Sequence, residues 1–199
     1  MAVLHQDRRL QVSEAAWRVI VREGIDRTSM RAIAQEMGCT TAGVTHYFRN
    51  KQALILFALN QVTERLQALI HSALADATGT ERLVAILSAF LPLNEQREDT
   101  LRVWVAFLGY AVGREFLMAE HQKSAAQLRE IIIQELERLQ ADGLVRDDID
   151  PKIESNALLA LGNGISLDSL IQSNPLSLEQ QQIVIQRYVD RLLASAAVG

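Results

Sequence analysis

The chain has 199 residues, a net charge of −4, 49% hydrophobic and 22% charged residues, which is enough apolar side chain for a packed core and too little charge for disorder. A single cysteine, Cys39, excludes an internal disulfide and suits a reducing compartment. The start, MAVLHQDRRLQVSE, has no signal-peptide pattern, and the best apolar run, 103–113, is too short to span a bilayer, which takes about 20 residues; a cytoplasmic protein with no membrane partner is expected.

Helical spacing recurs along the chain, and strand alternation of convincing length does not. The first helix is expected over 8–23, ended by Gly24, and the second over 29–37, capped by Thr28 or Ser29 and ended by Gly38. Met30, Ile33, Ala34 and Met37 give the second helix one apolar face. Thr40 caps a short third helix reaching Tyr47, and Asn50 caps a long fourth one reaching Asp76, striped by Leu54, Phe57, Ala58 and Val62. After the loop Thr78-Gly79-Thr80 come a fifth helix ended by Pro92, a sixth over 97–111 and a seventh over 114–141, closed by Asp142-Gly143. Asp150-Pro151 opens an eighth with proline in its first turn, and Asn174-Pro175 separates it from a ninth. The fold class is therefore all-α, with about nine helices. A three-helix head over 1–51 precedes a larger helical body over 52–199.

Charge follows the same division. Residues 1–51 hold eight Lys/Arg against five Asp/Glu, a net +3, so the remainder carries −7. A basic head on an acidic body is the footprint of a nucleic-acid partner, although a +3 imbalance also arises by chance.

Helices two and three, joined through Gly38-Cys39-Thr40, form a helix-turn-helix pattern in which Ala34, Val44 and Phe48 supply the core that fixes their angle. Such a unit offers its second helix to the DNA major groove. Thr40, Thr41 and Thr45 are short donors and acceptors for base edges or phosphates, with Ala42 and His46 beside them. Gly43 allows close backbone approach. Tyr47 and Lys51 fall at the groove edge, and Arg27, Thr28 and Ser29 at the start of the preceding helix suit a phosphate across the groove. Blander readings stand beside these: Thr40 as a cap, Gly43 as a packing glycine, Tyr47 as a core residue, His46 as a plain surface residue and Cys39 as a small turn residue.

The segment Arg8–Leu54, with TSMRAIAQEMGCTTAGVTHYFRNKQAL at its centre, resembles the DNA-binding head of the TetR family of bacterial repressors. The matching features are the Ile33-Ala34 pair, the glycine before the turn, and the Tyr47-Phe48-x-x-Lys51 ending. The VTHYFRNK wording is similar to the BetI type, regulators of choline-to-betaine genes, and a weaker likeness continues at 101–112 and 157–171. Thr45 stands where many members have tyrosine, and Ala42 where their glycine commonly sits; both departures bear on the operator rather than the fold.

The resemblance implies a body that binds a small-molecule effector and forms a homodimer on a palindromic double-stranded DNA operator, with no cofactor. Trp104, Phe107, Tyr110 and Phe116 concentrate aromatic surface in thirteen residues, suited to an effector pocket or to plain core. A choline-like amine would find cation–π attraction there. Gly164, Leu167 and Ile171 of the eighth helix and Leu178, Ile185, Val189 and Leu192 of the ninth suit a four-helix dimer interface or the chain's own core. An enzyme is not expected. The histidines are scattered, Gly164-Ile-Ser166-Leu-Asp168 lacks the last glycine of a nucleophile elbow, Gly162-Asn-Gly164 is no dinucleotide loop, and Asp147-Asp148-Ile149-Asp150 lacks the ligand spacing of a metal loop. The rival is a helical adaptor or small-molecule-binding protein without DNA.

Overall fold

A computed structural model describes residues 2–193, with side chains from residue 7 onward. Among them are nine α-helices: α1 (Ala2–Glu23), α2 (Met30–Glu36), α3 (Thr41–Thr45), α4 (Lys51–Asp76), α5 (Glu81–Ser88), α6 (Glu95–Ala111), α7 (Glu115–Ala141), α8 (Pro151–Ile171) and α9 (Leu178–Asp190). The only extended pairing among the described residues is a single antiparallel bridge between Val145 and Leu193. No helix among them is long and apolar enough to cross a membrane.

The helix ends follow local chemistry. Ser29 accepts from the Ala32 N–H and starts α2, Asp150 accepts from the Lys152 and Ile153 N–H groups and starts α8, and Ser177 with Gln180 forms a reciprocal capping box at α9. Asn50 Oδ1 accepts from the Ala53 N–H at the head of α4. Several boundaries differ from the sequence expectation, α3 among them, which stops at Thr45 rather than Tyr47. α1 begins at Ala2 rather than residue 8, and α5 stops at Ser88, the chain turning through 89–91 before Pro92 is reached.

The chain divides into two compact units, Met1–Glu64 with Asp99–Gln122, and Arg65–Glu98 with Lys123–Gly199. This packing division is not the expected one at residue 51. The physical reason is a shared apolar cluster: Trp17, Ile20 and Ile25 pack with Ile55, Ala58, Leu59 and Val62 of α4, Val103, Phe107 and Ala111 of α6, and Leu117 of α7.

In the second unit Leu83, Ile86 and Leu87 of α5, Leu128, Ile132, Leu136 and Leu139 of α7, Leu158 and Leu159 of α8, and Ile185, Val189 and Leu192 of α9 form one core. Glu135, 5% exposed, sits at its edge. Arg82 Nε and Nη2 donate to its two oxygens at 2.7 and 3.0 Å, and Arg138 donates to Oε1. Burial pushes the Glu135 carboxyl up, but the hydrogen bonds from Arg82 and Arg138 outweigh it and hold the group below the usual carboxylate range. Arg82 Nη1 also closes the Leu74 carbonyl at 2.6 Å. The close helix approach falls at Gly162, where a Cβ would meet Phe90 Cγ at 3.1 Å, and Ser166 Oγ donates to the Phe90 carbonyl at 2.7 Å. Gly164, expected at a dimer interface or in the core, is exposed in the single chain and has open space around it. The run 147–150 is a capped turn: Arg146 pairs with Asp148, and Asp150 is the α8 cap.

Candidate nucleic-acid interface

The head is built around a small core. Val12, Ala15, Ala16 and Val19 of α1, Ile33 and Ala34 of α2, Val44 of α3, Phe48 and Leu54 are all buried together. Arg18 and Arg22 of α1 both donate to Glu36 of α2, at 2.7 and 2.9 Å. The Arg18 hydrogen bond, joined by that of Arg22, holds the Glu36 carboxyl below its usual range. Two of the head's cations are thus used to tie α1 to α2.

The turn between α2 and α3 is a Schellman motif. The Cys39 N–H reaches the Ala34 carbonyl at 2.9 Å and the Gly38 N–H reaches that of Gln35 at 3.1 Å. Gly38 takes φ 63°, which an L side chain resists. Thr40 then caps α3, its hydroxyl oxygen accepting from the Gly43 N–H at 3.2 Å.

With Val44 inward, Thr41, Ala42, Gly43, Thr45 and His46 are exposed along the other side of α3 and its end. Tyr47 is half-buried, and His46 meets its ring edge-on at 4.9 Å. Thr45 Oγ1 donates to the Ala42 carbonyl at 3.2 Å. A Cβ on Gly43 would meet Cys39 Sγ and Thr40 Oγ1 at 3.7 Å, ordinary contact distance, and Gly43 does not have a positive φ. Nothing inside the chain therefore requires glycine there. Arg27 is exposed, and Ser29 is exposed with its hydroxyl oxygen accepting from the Ala32 N–H.

Two residues expected at phosphates have partners within the chain. Thr28 is 2% exposed and its hydroxyl donates to the Gly24 carbonyl at 2.9 Å, so it secures the α1–α2 turn and does not face outward. Lys51 Nζ donates to the Ile25 carbonyl at 2.6 Å and lies 5.3 Å from the Tyr110 ring centroid. Sequence reasoning also passed over Arg9, whose guanidinium carbon lies 5.0 Å from the Phe48 ring and 4.6 Å from that of Phe57. Its signal in the sequence is only a basic residue one turn before Val12 of the head core.

The aromatic set separates. Trp104, half-buried, and Phe107, buried, lie with His121 of α7, whose ring is 6.5 and 6.3 Å from theirs. His121 was not among the expected residues; its seventeen-residue separation from Trp104 hides a contact made only by packing. Tyr110 turns instead to Lys51 and Arg114. Phe116 is 61% exposed and lines nothing with the others. The expected dimer set separates too. Ile185, Val189 and Leu192 are within the chain's own core, so they cannot meet a second copy, whereas Leu167, Ile171 and Leu178 are exposed, together with Leu176 and Ile183.

Residues 13–57 match the family model of bacterial regulatory proteins, tetR family, and residues 79–194 match that of the BetI-type transcriptional repressor, C-terminal. The HTH-type transcriptional regulator PksA of Bacillus subtilis is 30% identical over 190 residues, which cover 94% of this chain and 91% of that protein. The HTH-type transcriptional regulator BetI of Agrobacterium fabrum is 29% identical over 193 residues, 96% and 91% of the two chains. A structure described as a transcriptional regulator from Saccharomonospora viridis in complex with choline aligns with a TM-score of 0.86 at 21% identity, covering 96% of this chain and 100% of that one, a likeness of fold alone. The chain belongs to the TetR family of bacterial regulatory proteins and is a helix-turn-helix transcriptional regulator, not an enzyme.

Proposed function

We propose that this regulator is a ligand-responsive repressor that binds a palindromic operator as a homodimer and reads it through α3. The observation that carries the reading is the two-sided character of α3: Val44 is fixed in the core while Thr41, Ala42, Gly43, Thr45 and His46 are exposed, around a glycine for which the protein itself has no steric need. In this reading Thr41, Thr45 and His46 touch base edges, with the Ala42 methyl and the bare Gly43 backbone against the DNA surface. Thr40, Tyr47, Arg27 and Ser29 meet the flanking phosphates. Thr28 acts indirectly, through the turn it fastens.

The dimer surface proposed draws on the exposed apolar side chains Leu167, Ile171, Leu176, Leu178 and Ile183, with Gly164 allowing close approach. A two-fold pair presents two α3 helices to half-sites about one helical turn, roughly 34 Å, apart. The effector proposed is a small molecule held by Trp104, Phe107 and His121. A quaternary ammonium compound is the first class to assay, since Trp104 offers a ring face for cation–π attraction and choline is the ligand described for the Saccharomonospora viridis structure. Coupling between the two sites runs through α4, which begins just after the recognition helix.

The test is a gel shift of the full chain on the intergenic DNA flanking its own gene. Expected is a shift on one fragment that competitor DNA of mixed sequence does not abolish and that weakens steeply with salt. A chain that shifts none of these fragments at low salt would overturn the reading.

A further inference from the structure

Lys51 is the first residue of α4, and only residues 46–50 separate it from α3. Its Nζ donates to two carbonyls of the α1–α2 turn, Ile25 at 2.6 Å and Asp26 at 3.3 Å. It also faces the Tyr110 ring, 5.3 Å from the centroid, in the last turn of α6. An ammonium has three protons and no acceptor. Two carbonyls and a ring face therefore compete with a phosphate for this ammonium. Arg114 lies against the same ring, its guanidinium carbon 3.8 Å from the centroid, and donates to the Tyr110 carbonyl. Burial pushes the Lys51 ammonium below its ordinary range, and Arg114 adds to this while Asp26 opposes it.

We infer that Lys51 and Tyr110 are positioning residues: together they fasten the start of α4 to the α1–α2 turn and to α6, set the pose of α3, and hold no phosphate themselves. The inference rests on the reading of α3 as the helix that faces DNA. Val44, Phe48 and Leu54 are buried in one cluster, so a shift of the α4 start is passed to α3 rather than absorbed between them. A phosphate-binding lysine and a positioning lysine differ in one measurable way. Each neutralised phosphate contributes about −0.9 to the slope of log affinity against log salt; a lysine that positions contributes nothing.

The experiment measures that slope and the affinity at one salt for the full chain and for Lys51→Met, Tyr110→Leu and Tyr110→Phe, on the flanking fragment that the wild-type protein shifts. Folding of each variant is followed by its thermal melt. Expected is an affinity loss of about tenfold in Lys51→Met and Tyr110→Leu at the wild-type slope, with Tyr110→Phe near wild type because the ring face is kept. A slope shallower by about one in Lys51→Met overturns the inference, and so does wild-type affinity in Tyr110→Leu. If Lys51→Met does not fold, Tyr110→Leu decides alone, since it leaves both carbonyl bonds in place. A wild-type chain that binds no fragment removes the reading of α3 itself, an outcome visible before any variant is made.

Discussion

Gly43→Ala separates the demands of the protein from those of DNA. Gly43 is the third residue of α3, where alanine is favoured over glycine by about 0.5–1 kcal/mol. The added methyl meets Cys39 Sγ and Thr40 Oγ1 at 3.7 Å and Cys39 Cβ at 3.9 Å, all ordinary van der Waals separations. No steric penalty offsets the gain, so the melting temperature is expected to hold or to rise by about 1–4 °C, taking roughly 2–4 °C per kcal/mol for a chain of this length. Operator binding is expected to move the other way. A methyl placed where backbone and DNA surface touch must push one from the other, and a loss of about 1.4 kcal/mol is already tenfold in affinity. Thermal melts and fluorescence anisotropy on the flanking fragment give the two readings. A variant that melts as expected and binds the fragment like wild type would show that this face of α3 does not lie against DNA. A variant destabilised by more than about 2 kcal/mol would show that the space around Gly43 is not what the structure gives it.

Gly162→Ala is expected to do the opposite at the other end of the chain: its methyl would meet Phe90 Cγ at 3.1 Å and Cδ2 at 3.3 Å, with the Phe90 backbone held by Ser166. Overpacking of about 1–3 kcal/mol then exceeds the helix-propensity gain of about 1 kcal/mol, and the melting temperature falls while binding per folded molecule does not change. Ile171→Glu puts a charge on a side chain 62% exposed in the single chain; analytical ultracentrifugation should show a monomer that keeps its helical circular dichroism, and a persistent dimer would exclude this surface as the interface. Because the Glu135 carboxyl lies below the usual carboxylate range, its contribution is complete above that range and is lost as pH falls through the lowered value. Glu135→Ala should cost about 3 kcal/mol at neutral pH by leaving Arg82 without its bidentate partner, and should flatten the acid limb of the stability profile relative to wild type.

The helices were legible because their ends carry local signals. Ser29, Thr40, Asn50, Asp150 and Ser177 are capping types at the positions where caps form. α1 was read too short because no capping type marks its start at Ala2. The three-residue core of Ala34, Val44 and Phe48 was legible for the same reason, since periodicity over a short loop fixes which side faces in. Thr28 and Lys51 were not. A hydroxyl and an ammonium in a basic segment read as groups aimed at a ligand. Whether a backbone carbonyl comes within 3 Å of them is decided by how α1, the turn and α6 meet, and no local pattern records that.

The ninth helix shows where periodicity stops being informative. Leu178, Ile185, Val189 and Leu192 form a stripe, and a stripe states that one face is buried without stating against what. Three of the four are covered by the chain's own core, while Leu178 is 41% exposed. Ile183 lies two residues before Ile185, about 200° around a helix, and is 43% exposed where Ile185 is wholly buried. A helix that carries apolar residues on opposite faces has spent one of them on its own core. The other, marked by Ile183, stays exposed, as do Leu167 and Ile171 of α8, and these side chains outside the main stripe are the ones the proposed dimer would cover.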